Sequence, residues 1–115
     1  MDVQIFGIRK NPETRKALRF FAERRVKTYF VDLQERAASR GELARFVQKF
    51  GVAALVNSTS KRFDELGMRT AHYGDDRWLQ ILVDEPFILR MPLVRHGNAL
   101  TIGVAETTWK SWLAT

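Results

Sequence analysis

Two hydrophobic periods divide this chain. Val3 to Ile8, VQIFGI, reads as a short, fully buried strand. The loop Arg9-Lys10-Asn11 follows and leads into Pro12, a favoured first residue of a helix. From Pro12 to about Arg25, the positions Thr14, Ala17, Leu18 and Phe21 recur at three- and four-residue spacing, which predicts a helix with that stripe packed on a sheet. Arg15, Lys16, Arg19 and Glu23 fall on the other side, so its outer face is wet and basic. Lys27 to Asp32, KTYFVD, alternates and is rich in β-formers, the pattern of a second strand. Strand, helix and strand in succession make a parallel βαβ unit, for which a right-handed crossover is expected.

Further along, Ser39-Arg40-Gly41-Glu42 has the form of a capping box, in which hydroxyl and carboxylate each satisfy a backbone amide at the start of a helix. Leu43, Phe46, Val47 and Phe50 keep helical spacing behind it, and Gly51 stops the helix. Val52 to Val56 is a short apolar turn or helix start. The polar break Asn57-Ser58-Thr59-Ser60 and a helical turn or two from Lys61 to Leu66 come next, ended by Gly67. Asp75 or Asp76 is placed to cap a helix from Arg77 to Asp84, whose Trp78, Leu79, Ile81, Leu82 and Val83 are apolar nearly all round and call for cover on most sides. Pro92 to Arg95 and Ala99 to Val104 read as strands joined by the turn His96-Gly97-Asn98. A last helix, Ala105 to Leu113, turns Trp109, Trp112 and Leu113 towards the body. The order predicts an α/β fold, one mixed four-stranded sheet with flanking helices and a helical insertion at about residues 39–85.

At 115 residues the chain suits one domain, residues 1–115, and no repeat or linker divides it. No apolar run approaches the roughly 18 residues of a membrane span, and Met1 begins no signal-peptide pattern, so a cytoplasmic protein with no membrane partner is expected. Lys and Arg outnumber Asp and Glu by 19 to 13, a formal charge of +6, densest from Arg9 to Lys27. Such a balance fits either a soluble basic surface or an acidic partner. There is no cysteine, which excludes a thiolate nucleophile, a mixed disulfide, a Cys-x-x-Cys couple and a Cys/His zinc site from this chain. His72 and His96 lie apart, with no spacing that suits a metal, so none is expected.

Several residues carry two readings. Asn11 before Pro12 suits a helix cap, while the amides of residues 13 to 15 at a positive helix end also suit an anion. Asp84-Glu85 reads as a solvated pair rather than a general acid. Trp78, Trp109 and Trp112 fit the core better than a base-stacking surface, and nucleic-acid binding through the basic helix is the weaker alternative.

Four stretches carry a resemblance: IFGIRKNPETRKALRFF, LVNSTSKRFDELGM, ILVDEPFILRMPLV and LTIGVAETTWKSWL. In this order, over the full length, the chain resembles the ArsC/Spx family of glutaredoxin-linked arsenate reductases and their regulatory relatives, which have a thioredoxin-like fold with a helical insertion. The resemblance places the family's loop cysteine at Asn11 and the second cysteine of its Cys-x-x-Cys members at Thr14. Its oxyanion-holding arginines match Asn57, Met91 and Ile102, while Arg90 and Arg95 lie near the lost arginine. An amide does not attack arsenic, and a threonine hydroxyl needs a nearby base. Concentrated negative charge also needs guanidinium forks or backbone amides. Pro92 matches the cis-proline that faces the active-site loop of thioredoxin folds.

The resemblance thus implies a degenerate, non-catalytic member acting as a binding or regulatory module, of Spx type or of the type that accompanies nitrogenase. Asn11, Thr14, Met91 and Pro92 would form its ligand or partner groove. Arg9, Lys10, Arg15, Lys16 and Arg19 would face an acidic protein surface. The alternative is a glutathione-linked reductase or transferase that borrows an external thiol; no other cofactor is expected.

Overall fold

In the computed structural model, which describes residues 1–114, the chain groups into two compact units. One comprises Met1–Arg36 and the segment from Met91 onward, and the other is Ala37–Arg90.

The first unit is built on a four-stranded sheet of order β2-β1-β3-β4. Strand β1 (Asp2–Gly7) pairs in parallel with β2 (Lys27–Asp32), from Asp2 opposite Lys27 to Gly7 opposite Asp32. It pairs antiparallel with β3 (Leu93–His96), Gln4 facing Arg95 and Phe6 facing Leu93. Strand β4 (Ala99–Ile102) closes a hairpin whose two-residue loop places Gly97 at φ 58°, a position that favours glycine. Helix α1 (Pro12–Glu23) belongs to this unit, as does a C-terminal helix, Glu106–Leu113, named α6 in chain order. Val3, Ile5 and Val94 from the sheet form one buried cluster with Ala17, Phe20 and Phe21 from α1 and Trp109 from α6. The Trp109 ring lies 5.3 Å from that of Phe20 and 5.2 Å from that of Phe21. Its indole N–H donates to Thr101 Oγ1 at 2.9 Å, so the largest core side chain leaves no polar atom stranded.

The second unit is helical, with α2 (Arg40–Phe50), α3 (Val52–Leu55), α4 (Lys61–Glu65) and α5 (Asp75–Asp84), and 3₁₀ turns at Met68–Thr70 and Pro86–Ile88. The capping box forms as expected: Glu42 N–H donates to Ser39 Oγ at 3.1 Å, and Ser39 N–H to Glu42 Oε1 at 2.9 Å. Leu43, Phe46, Leu55, Phe63, Leu82, Ile88 and Leu89 are buried. The chain leaving α3 is held by Asn57 N–H on the Ile88 carbonyl at 2.7 Å and by Arg90 N–H on that of Leu55 at 2.8 Å. No helix among the described residues is long and apolar enough to cross a membrane.

Local expectations fail where distant packing decides. The predicted strand Val3 to Ile8 runs instead from Asp2 to Gly7 and is not fully buried, for Gln4 is half-buried and Ile8 lies beyond it, half-buried too. The buried positions of α1 are Thr14, Ala17, Phe20 and Phe21, with Leu18 only partly covered, because Trp109 comes from far along the chain to cover Phe20. Helix α5 is one-sided, with Leu82 buried and Trp78, Leu79, Ile81 and Val83 half-covered. It starts at Asp75 after Gly74, without a side-chain cap, so its two aspartates lie inside the positive first turn rather than before it. The Asp84-Glu85 pair is not simply solvated. Arg62 Nε and Nη2 reach the Glu85 carboxylate at 2.8 and 3.1 Å, and Gln80 donates to Asp84 at 3.1 Å.

Candidate functional site

The loop between β1 and α1 is tied down by its own residues. Asn11 N–H donates to the Ile8 carbonyl at 3.1 Å, closing the turn, and its side chain caps α1 by accepting from Thr14 N–H at 2.7 Å. The same amide oxygen accepts the Thr14 hydroxyl at 2.9 Å. Arg15, one residue on, turns its guanidinium back and donates to the carbonyls of Arg9 at 3.1 Å and Lys10 at 3.0 Å. Thr14 is wholly buried against Gly7, where a side chain's first carbon would stand 2.7 Å from the Thr14 methyl. Only a glycine leaves room there for the helix to seat on the strand.

This geometry decides what the loop can do. The Thr14 proton rests on an amide oxygen, which is no base, so the hydroxyl is a buried structural donor rather than a nucleophile. The anion-binding reading of residues 13 to 15 fails for a related reason. Asn11 Oδ1 holds the amide of Thr14, and the Asn11 carbonyl holds that of Arg15 at 3.0 Å. The remaining amide belongs to Glu13, itself acidic.

The Met91–Pro92 peptide bond is cis. Carrying the β1–β3 register one residue past Phe6 and Leu93 sets Pro92 level with Gly7, at the sheet end where Thr14 sits. Pro92 is buried and its carbonyl accepts from Gly103 N–H at 2.8 Å, while Met91 is half-exposed. Asn57 belongs to the second unit, where its side chain accepts from Thr59 N–H at 3.1 Å and Thr59 Oγ1 at 2.6 Å, an Asx turn. Ile102 ends β4, half-buried.

Eight cations face two carboxylates between Arg9 and Lys27, which accounts for the whole formal charge of +6. Their environments differ. Arg9 lies over the Phe30 ring at 4.8 Å, Lys27 over Tyr29 at 5.2 Å and Arg24 over Phe20 at 3.8 Å, and Arg15 holds the loop. Lys10, Lys16, Arg19 and Arg25 make no ion pair with a described residue. All five cations of the expected basic surface are exposed, but they form two sets: Arg9 and Arg15 are held by their own scaffold, while Lys10, Lys16 and Arg19 make no ion pair with a described residue. Lys16, Arg19, Phe20, Glu23, Arg24 and Glu106 line a depression of about 260 Å³. An open cleft of about 600 Å³ runs over the row Tyr29, Gln4 and Arg95, with Asp2, Asp32 and Glu35 at its margin. No described group of three or more His, Asp or Glu is placed to hold a metal ion.

The part of this site that sequence reasoning missed is Gly7 and the inward turn of Arg15. The Gly7–Thr14 contact crosses the loop and leaves no periodic trace. Arg15 sits at an outward helical position, and its reach back along the chain is visible only once the loop is folded.

Comparison with known proteins bears on the family and the fold. The profile of the ArsC family matches residues 6–112. Among curated proteins, YusI of Bacillus subtilis is 23% identical over 110 residues, covering 92% of this chain and 93% of its own. The solved YFFB protein superposes with a TM-score of 0.88 at 19% identity, covering 97% of this chain and 99% of its own. An arsenate reductase from Vibrio cholerae superposes at 0.78 with 21% identity and 89% coverage of each. Both structural likenesses concern the thioredoxin-like fold.

Proposed function

Starting from the fact that this chain belongs to the ArsC family, we propose that it is a non-catalytic member, a binding or regulatory module of Spx or nitrogenase-associated type, that uses its basic α1 region to engage an acidic protein surface. One observation carries this reading. The place matched to the family's nucleophile holds an asparagine whose side-chain oxygen is fully used in capping α1 and holding Thr14. A chain with no cysteine has no thiolate to put elsewhere. Arsenate reduction in the presence of glutathione and glutaredoxin tests it, and the purified protein should add nothing to the rate without it. Turnover above that background ends the reading.

A second reading follows from the place of Met91 and Pro92 at the same sheet end as Gly7, against which Thr14 packs. There an extended thiol ligand such as glutathione would lie against the Met91 backbone and supply the sulfur this chain lacks. Titration with glutathione, followed by amide shifts at Asn11, Thr14 and Met91, decides it; an unchanged spectrum at millimolar glutathione excludes it.

A further inference from the structure

Of the exposed cations between Arg9 and Lys27, Lys16, Arg19 and Arg24 gather on the flank of α1 beside Glu106 of α6, apart from Lys10 in the loop before the helix. Lys16 and Arg19 are exposed and make no ion pair with a described residue, and with Arg24 they rim the depression floored by Phe20. Arg24 is already arranged. Its guanidinium stacks on the Phe20 ring at 3.8 Å and donates to the Phe20 carbonyl at 3.1 Å, so a ligand would fix little further side-chain motion. Two carboxylates, Glu23 and Glu106, share the same depression. A continuous polyphosphate would meet them as well as the cations and be repelled, whereas a protein surface can alternate its charges to answer both signs.

We infer that the α1–α6 depression is the docking site for an acidic, charge-alternating surface segment of a partner protein. Partner carboxylates meet Lys16, Arg19 and Arg24, and a partner cation or hydroxyl meets Glu23 or Glu106. This rests on the acidic-partner reading above and moves its contact away from Arg9, Lys10 and Arg15, none of which lines the depression.

The test uses the full-length, isotope-labelled chain and, as probe, a synthetic helical peptide with glutamates at i, i+4 and i+7 along one face. The peptide should shift amides of residues 16–24 and 106–110. Binding should weaken about tenfold with Lys16→Glu plus Arg19→Glu and be unchanged by Lys10→Glu, as expected for contacts confined to one charged patch. Glu23→Lys with Glu106→Lys should tighten the same peptide, a gain that misfolding does not produce. Shifts confined to residues 9–11, with loss on Lys10→Glu, overturn this site and leave the acidic-partner reading standing. Tighter binding of a DNA oligonucleotide of equal charge at the same ionic strength overturns it in favour of nucleic acid. Absence of any shift at millimolar peptide also overturns it, whereas arsenate turnover in the separate assay strikes the reading beneath.

Discussion

In the segment Ala37–Arg90, three arginines reach carboxylates of their own unit: Arg40 to Asp76, Arg62 to Glu85 and Arg69 to Asp64. Between Arg9 and Lys27 the cations turn instead to ring faces and carbonyls, or stay in solvent. The first unit is held by a layer of aromatic and aliphatic side chains on a sheet, which needs no charge pairing. The second joins short helices through ion pairs over a smaller set of buried residues. The difference teaches where charge is used inside the architecture and where it stays in solvent.

The sharpest way to break that contrast is to remove the aromatic centre of the first unit. Trp109→Ala deletes a fully buried side chain and leaves the Thr101 hydroxyl without its donor. A loss of about 3–5 kcal/mol is expected in urea unfolding of the full chain. No ion-pair deletion in the second unit should match it. A loss as small as that from breaking Arg69–Asp64 would show that the sheet layer is not what holds the first unit.

Next in size is the cap. Asn11→Ala removes the acceptor of Thr14 N–H and Oγ1–H, and should cost about 1 kcal/mol. Asn11→Cys is more instructive, since a thiolate there would meet the same two donors at a positive helix end. Its alkylation by iodoacetamide should rise with pH around a midpoint below the ordinary thiol value of about 8.5. Arsenate turnover should still be missing if, as the resemblance implies, Asn57, Met91 and Ile102 stand where the family holds its oxyanion with arginines. An ordinary thiol midpoint would mean that the donors around Asn11 do not stabilise a charge.

These residues also show how far a sequence can be read. The Ser39–Glu42 capping box, the Asn11 cap and the strand Lys27–Asp32 were legible because each is decided by neighbours within a few positions. The burial of Phe20 in place of Leu18 was not, because the covering ring is at residue 109. Glu85 reads locally as one of two solvated acids, yet its partner Arg62 is 23 residues away. The site divides in the same way: the Asn11 cap is decided by its neighbours, but whether a given arginine faces outward or back onto a carbonyl depends on the folded loop.

The second unit's pairing should show in its response to acid. The Arg62 guanidinium, hydrogen-bonded to Glu85, holds that carboxyl below the usual carboxylate range. A group whose folded value is depressed stabilises above its unfolded value, and that contribution fades as the pH falls through the folded one. Stability of the wild-type chain should therefore drop more on acidification than that of Glu85→Gln, the difference being small because the pair is partly solvated. Equal pH profiles for the two proteins would remove this pair from the account of how the second unit is held.

The smallest expected effect separates the two regions most cleanly. Lys16→Glu with Arg19→Glu reverses two exposed charges that make no ion pair with a described residue, so unfolding should change by no more than about 0.5 kcal/mol. Within α1 the reversal relieves Arg15 of a like charge four residues on but sets new carboxylates three and four residues from Glu13 and Glu23, so these exposed local effects stay small. Arg62→Glu, a single reversal in the second unit, sets two carboxylates against each other and should cost more than both reversals on α1 together. Chemical denaturation of the two variants side by side gives the order directly. If the α1 double variant is the less stable, those cations hold the fold through contacts of their own and are not available to a partner.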